Sequence, residues 1–276
     1  MAIGDITLSA SAQANLTALT KTASLLGQTQ KALSTGKNVN SASDNATAYF
    51  ASQGFLNSAN NLNGIKSGIS TALQTVSSFD NSITDITSVI TQLQGVATQA
   101  LGTTDTTVRA GLASQFNSLT TQLDLLVNDA TFNGTNLLNS TSNSLVVYFN
   151  ATNTTALTIT GVNVTAAGLL TTSGKDAANA WAAATDIQTS QSYLLTALST
   201  LNTDAATFGG NASLLQTRQD FTSNLISSLS NASNALVQAD TNTEGANLQA
   251  LQAQNQLGIV SLGVSNTLAQ AILRIL

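Results

Sequence analysis

Apolar residues along this chain recur with a step that alternates between three and four. Starting at Ala48, the positions Ala51, Phe55, Ser58, Leu62, Ile65, Ile69, Ala72, Val76, Phe79, Ile83, Ile86, Ile90, Leu93, Ala97 and Ala100 obey that rule, and only Ser58 is polar. A heptad seam sustained this long predicts a helix over 44–101 lying along a partner helix. At ~1.5 Å per residue it would run roughly 85 Å. A second helix follows the turn Gly102-Thr103-Thr104 through Leu112, Phe116, Leu119, Leu123, Leu126 and Ala130, with Asp105 placed to stabilise its start. A third is predicted from Ala177 to Leu236 through Ala180, Ala184, Ile187, Leu194, Leu201, Phe208, Leu215, Ile226 and Ser233. Gly209-Gly210 lowers its propensity by about 1 kcal/mol per residue but leaves the register intact. The core expected from these helices is Ile65, Ile69, Val76, Phe79, Ile83, Ile90, Leu93, Leu119, Leu194, Leu201, Leu215 and Ile226.

The two ends are patterned differently. Ala12, Leu16, Leu19, Ala23, Leu26, Gln30 and Leu33 form one narrow seam. The C-terminal segment has two. Leu251, Gly258, Leu262, Ala269 and Ile272 lie on one, and Ala253, Leu257, Val260, Val264 and Ala271 on the other, with Leu268 and Ile275 between. A helix apolar most of the way round must be surrounded by protein. One N-terminal helix of the same molecule cannot surround it, whereas neighbouring copies can. Between 131 and 176 the helical period disappears. Ser144–Asn150 and Thr155–Val162 are β-branched and aromatic stretches bounded by Asn, Thr and Gly, which reads as a hairpin too small to stand as a domain.

Composition narrows the function. The 276 residues contain no His, Cys or Pro, and only 8% are charged. A thiolate nucleophile, a Ser-His pair, a disulfide and nitrogen or sulfur metal sites are thereby excluded. The absence of Pro suits long unbroken helices. The carboxylate pairs Asp80/Asp85 and Asp124/Asp129 are five apart and so fall on different helix faces. Asp240 and Glu244 share a face, where they favour a helix start. No enzyme, cofactor or metal site is expected. The charge of −5 is uneven: residues 1–40 carry Lys21, Lys31 and Lys37 against Asp5, and the acids lie mostly in the middle. No basic patch exists to neutralise phosphates, so nucleic-acid binding is not expected. The start, MAIGDITLSA, lacks the charged and apolar regions of a cleaved signal. The most apolar stretch, Leu257 to Leu276, is too polar to span a bilayer. The Asn-x-Ser/Thr triplets are what a chain this rich in Asn, Ser and Thr produces by chance.

Three blocks carry a family resemblance. Leu33-Ser34-Thr35-Gly36, continuing to Asn40-Ser41-Ala42 and Asp44, is the first. Ala130-Thr131-Phe132-Asn133-Gly134 with Leu137-Leu138 is the second. The third is Ala239-Asp240, Glu244, Ala246-Asn247-Leu248, Gln249-Ala250-Leu251-Gln252 and the ending Ala271-Ile272-Leu273-Arg274-Ile275-Leu276. In this order, between paired terminal helices, they resemble bacterial flagellin over essentially the full length, in its short subtype without large outer domains. The resemblance implies a mainly α fold: a long antiparallel helical coiled-coil bundle with a small β-hairpin insert. An inner domain, D0, would hold 1–40 and 236–276, and the next shell, D1, would hold 41–135 and 177–235, with a short variable insert over 136–176. Self-assembly would fall on the D0 seams: Leu16, Leu19, Leu26, Leu33, Leu251, Leu257, Leu262, Val264, Leu268, Ile272, Ile275 and Leu276.

The family's role implies a structural subunit that polymerises into the flagellar filament for swimming. Its partners would be many copies of itself, the flagellar export apparatus, a secretion chaperone, and cap and hook-junction proteins. The chain would be secreted by the type III route without a cleaved signal and without membrane insertion. A hook–filament junction protein, with similar termini, is the alternative. Gln92, Gln94 and Gly95 stand where many relatives carry two Arg and a Glu that serve innate immune detection, so weak recognition is implied.

Overall fold

The computed structural model of the protein describes residues 10–275. Helix α1 spans Ala10–Thr35, α2 Ala46–Leu101 and α3 Thr106–Asp129. A hairpin follows, β1 Ser144–Tyr148 paired antiparallel with β2 Ala156–Thr160, Val146 opposite Thr158. Two single-turn helices, α4 Ala166–Leu169 and α5 Thr171–Gly174, and a tight turn over Ala178–Trp181 lead to α6, Ala184–Val237, and α7, Thr241–Ile275. The chain divides into two compact units, one from 1–59 with 227–276 and one from 60–226.

The larger unit holds the bulky core. Ile69, Val76, Phe79, Ile83, Ile86, Ile90 and Leu93 of α2 are buried with Phe116 and Leu123 of α3 and Leu194, Leu201, Phe208 and Leu215 of α6. Phe79 meets Phe208 with ring centroids 6.4 Å apart, and farther along Gln191 Nε2 donates to Thr98 Oγ1 at 3.3 Å. Advancing along α2 therefore means retreating along α6, which is an antiparallel pair. Asp105 caps α3, its Oδ1 accepting from Thr107 N at 2.8 Å. On one side of the core the hairpin is held by Val147 and Ile159, both buried. The loop before it is fixed by Asn136, whose Nδ2 donates to Val127 O at 2.8 Å while its Oδ1 accepts from Leu138 N. Gly161 sits where a Cβ would meet Ser140 O at 2.5 Å.

The smaller unit is built differently. Its fully or nearly buried apolar residues are short: Ala12, Ala32, Val39, Ala59, Val237 and Ala239. Burial of an Ala contributes far less than the roughly 1.5–3 kcal/mol of a buried Leu or Phe, so this unit has a thin interior. Polar pairing supplements it. Ser52 and Ser233 share a buried hydroxyl bond of 2.9 Å, and Asn38 N donates to Val237 O at 2.8 Å.

The structure corrects the expected pattern in three places. In α2 the seam enters one residue out of step: Ala51 and Ser58 face solvent and Ser52 and Ala59 are buried, because the facing side chain there is Ser233. In α1, Ala23 and Gln30 are exposed, and Thr29 and Ala32 are buried instead. The third helix begins at Ala184, not Ala177. Asn179, Ala180 and Trp181 have φ of 49°, 52° and 57°, a left-handed stretch that costs roughly 1–2 kcal/mol per residue. The offset is burial of Trp181, 0% exposed, with its ring 4.9 Å from Phe116 and its Nε1 donating to Ser190 Oγ at 3.2 Å.

Hydroxyls are bonded inward along the helices. On α2, Thr71, Thr75, Ser82, Thr84, Thr87, Ser88, Thr91 and Thr98 each donate to the carbonyl four residues back. Each such bond shares a carbonyl with the helical ladder, which satisfies the hydroxyl and slightly weakens the backbone bond at that turn.

Candidate assembly surface

Helices α1 and α7 pack together within the smaller unit. Leu248, Leu251, Asn255, Gly258, Leu262 and Ser265 form the half-buried stripe of α7. This stripe meets α1: a Cβ at Gly258 would come within 2.9 Å of Leu19 Cδ1, and beside the stripe Asn15 Nδ2 donates to Ser261 Oγ at 3.0 Å. Leu19, Leu26 and Leu33 of α1 are half-buried, whereas Leu16 is exposed. Around α7 the picture reverses. Leu257 is 70% exposed, Val260 62%, Leu268 59%, Ile259 57% and Val264 54%. One seam is covered and the other is bare. The side chains of Ile272, Ile275 and Leu276 lie outside the described residues.

The polar joints beside this surface are specific. Between α1 and α2 the helix breaks at Gly36, φ 68°, and the carboxylate of Asp44 gathers the loop. Asp44 Oδ2 accepts from Asn40 N and Ser41 N, each at 2.9 Å, and from Ser41 Oγ at 3.1 Å, with Lys31 Nζ at 3.5 Å. The bonds from Asn40 and Ser41, with the Lys31 charge, hold its pKa below the usual carboxylate value. Asp240 caps α7. It accepts from Thr243 Oγ1 at 2.9 Å, Thr243 N at 3.3 Å and Asn242 N at 3.0 Å, and these bonds lower its pKa as well. A groove of about 660 Å³ runs between the end of α1, this loop and the first turns of α7, lined by Leu25, Lys31, Asp44, Glu244 and Leu251 among others. The Asp44 carboxylate cluster was not singled out by spacing; the Asn-Ser-x-x-Asp order of a loop capped from its far end was the available signal.

In the larger unit, Ile69, Val76, Phe79, Ile83, Ile90, Leu93, Leu194, Leu201 and Leu215 lie in the interior, and Ile65, Leu119 and Ile226 are half-buried. Asp124 Oδ1 accepts from Ala166 N at 2.7 Å and fixes α4 to α3. Burial raises the pKa of Asp204 on α6. Arg109, missed in the sequence, is buried with Nε donating to Ala100 O at 3.2 Å and Thr103 O at 2.8 Å, so its charge caps the end of α2. Among the described residues no group of three His, Cys, Asp or Glu is placed to hold a metal, and no helix is long and apolar enough to cross a membrane. The arrangement can bury apolar surface against another protein.

Comparison with known proteins agrees in kind. The bacterial flagellin N-terminal helical region matches residues 6–143. Flagellin FljO of Caulobacter vibrioides is 30% identical over 280 residues, spanning 99% of this chain and 98% of its own length. A flagellin of Brucella melitensis is 30% identical over 295 residues, with 98% of both chains covered. Matched end to end by flagellins of its own size, and carrying the family's N-terminal helical region over half its length, the chain belongs to the bacterial flagellin family.

Proposed function

We propose that this flagellin is a filament subunit whose terminal helices complete their folding only against neighbouring copies. The observation that carries the reading is the bare seam of α7, where Leu257, Val260, Val264 and Leu268 stand more than half exposed although α1 already occupies the opposite face. Covering each of them would contribute about 1–2 kcal/mol. A contact in which this seam meets a different surface on the next copy is heterologous and repeats without closing, which generates a helical fibre. In this reading 1–40 and 236–276 form the inner D0 layer and 41–135 with 177–235 the D1 shell. The insert, 136–176, belongs to the variable surface. Leu16, Leu19, Leu26, Leu33, Leu251, Leu257, Leu262, Val264, Leu268, Ile272, Ile275 and Leu276 are the proposed assembly residues.

Export by the flagellar type III apparatus, protection by a chaperone, and addition beneath a cap after the hook-junction proteins belong to the same proposal, with the filament outside the cell as the destination. The composition suits a chain that travels unfolded. Without Pro or Cys, refolding waits for neither prolyl isomerisation nor thiol oxidation. No chemistry is assigned to the subunit. The test is seeded polymerisation of purified protein, with sulfate to strengthen apolar burial. The full chain should elongate seeds into fibres visible by electron microscopy, and deletion of 257–276 should leave a soluble, helical monomer that does not elongate them. Fibres from the deleted chain would overturn the reading.

A further inference from the structure

Residues 177–183 are held against their own preference. Six of the eight residues from Ala177 to Ala184 are alanine, the strongest helix former, and Ala177, Ala180 and Ala184 prolong the spacing of α6 toward its N-terminus. The backbone instead makes one left-handed turn over Asn179, Ala180 and Trp181, closed by Ala180 N on Ala177 O and Ala182 N on Asn179 O, both 3.2 Å. Neither Ala nor Trp favours that region of backbone space. Tertiary contacts oppose the preference. The Trp181 ring is buried against Phe116, its Nε1 donates to Ser190 Oγ, and Ala177 N donates to Asn117 Oδ1 at 2.7 Å. Had α6 continued to Ala177, Trp181 would stand on the stripe of Thr185, Gln188 and Leu195, four, seven and fourteen residues on, and all three face solvent. The two arrangements exclude one another: an intact helix takes the indole out of the core, and a buried indole breaks the helix.

We propose that Ala177–Ala183 is a two-state latch at the head of α6. Closed, Trp181 is seated on Phe116 and α6 begins at Ala184. Open, α6 lengthens by about two turns and presents Trp181 to solvent. The latch belongs to the single subunit and stands or falls independently of the filament reading, because every measurement below is made on monomer. Local helix strength and core burial are opposing terms of similar kind, which is the condition for a bistable element. Asn117 and Phe116 on α3 and Ser190 on α6 are its positioning residues.

Trp181 is the chain's only tryptophan, so the full-length protein reports the latch through its own emission. Small additions of trifluoroethanol, which favours helix, should shift the emission to the red and raise acrylamide quenching several-fold. Helical ellipticity should increase while amide protection in the middle of α2 is retained. Ser190→Ala, which removes the indole's acceptor together with the hydroxyl's own bond to Asp186 O at 3.2 Å, should open at lower alcohol. Asn179→Gly with Ala180→Gly relieves the left-handed backbone and weakens the helix; it should stay shielded throughout and melt above the parent. Two results would overturn the proposal: Trp181 shielded in parent and Ser190→Ala until α2 loses its protection, or a double-glycine variant that melts below the parent.

Discussion

Asp44 and Asp240 serve the two breaks in the helical chain that flank the assembly surface, and both are more acidic folded than free. A carboxyl whose pKa is lowered by folding contributes stability above its unfolded value of about 3.9, and that contribution is lost as pH falls through the lower folded value. The smaller unit should therefore loosen below about pH 4. Asp44→Asn and Asp240→Asn should each flatten the acid limb of a pH titration followed by circular dichroism; slopes identical to the parent's would count against this account. Asp204 works in the opposite sense. Its pKa is raised by burial, so its ionisation opposes folding above the folded value, and acid relieves that cost. Arg109 shows how much a single residue can hide. One Arg in a polar helix carries no pattern, yet it closes the end of α2 through backbone carbonyls that only the fold brings within reach.

Helices α2 and α6 were legible because their heptads are long and filled with Ile, Leu and Phe, and the hairpin because Leu145–Tyr148 and Leu157–Ile159 break the helical period with β-branched and aromatic residues. The family assignment rested on three short blocks and on the order of the elements between them. What escaped was decided elsewhere in the chain. The start of α6 follows from Phe116 and Ser190 holding Trp181, against six alanines that favour helix. The one-residue offset at Ser52 follows from Ser233, more than a hundred residues away. The α1 seam was misread at Ala23 and Gln30 because short side chains pack nearly as well one position over. On α7 the two stripes make separable predictions. Val260→Asp with Val264→Asp, on the bare side, should leave monomer melting within about 0.5 kcal/mol of the parent and raise the critical concentration for elongation at least roughly tenfold, about 1.4 kcal/mol. Leu262→Asp, on the side facing α1, should lower the monomer's own helicity, measured by circular dichroism. Equal effects from both stripes would contradict the assignment of faces.

For the whole molecule, the two units differ in what lies inside them: Phe, Ile and Leu in one, chiefly Ala and Val in the other. Amide exchange of the dilute monomer should therefore be slow through 69–97 and 194–215 and fast through 10–35 and 241–271, with the fast segments becoming protected in fibres. Protection of the terminal helices in solitary monomer equal to that of the bundle would remove the physical basis for assembly-coupled folding. The inward-bonded hydroxyls of α2 bear on mechanics. A helix with proline yields at one point. Threonines and serines bonded four residues back loosen the ladder slightly at many points, so a rod of this length acquires distributed compliance. Under repeated torque, curvature can then be shared along its turns, and no single joint has to fatigue.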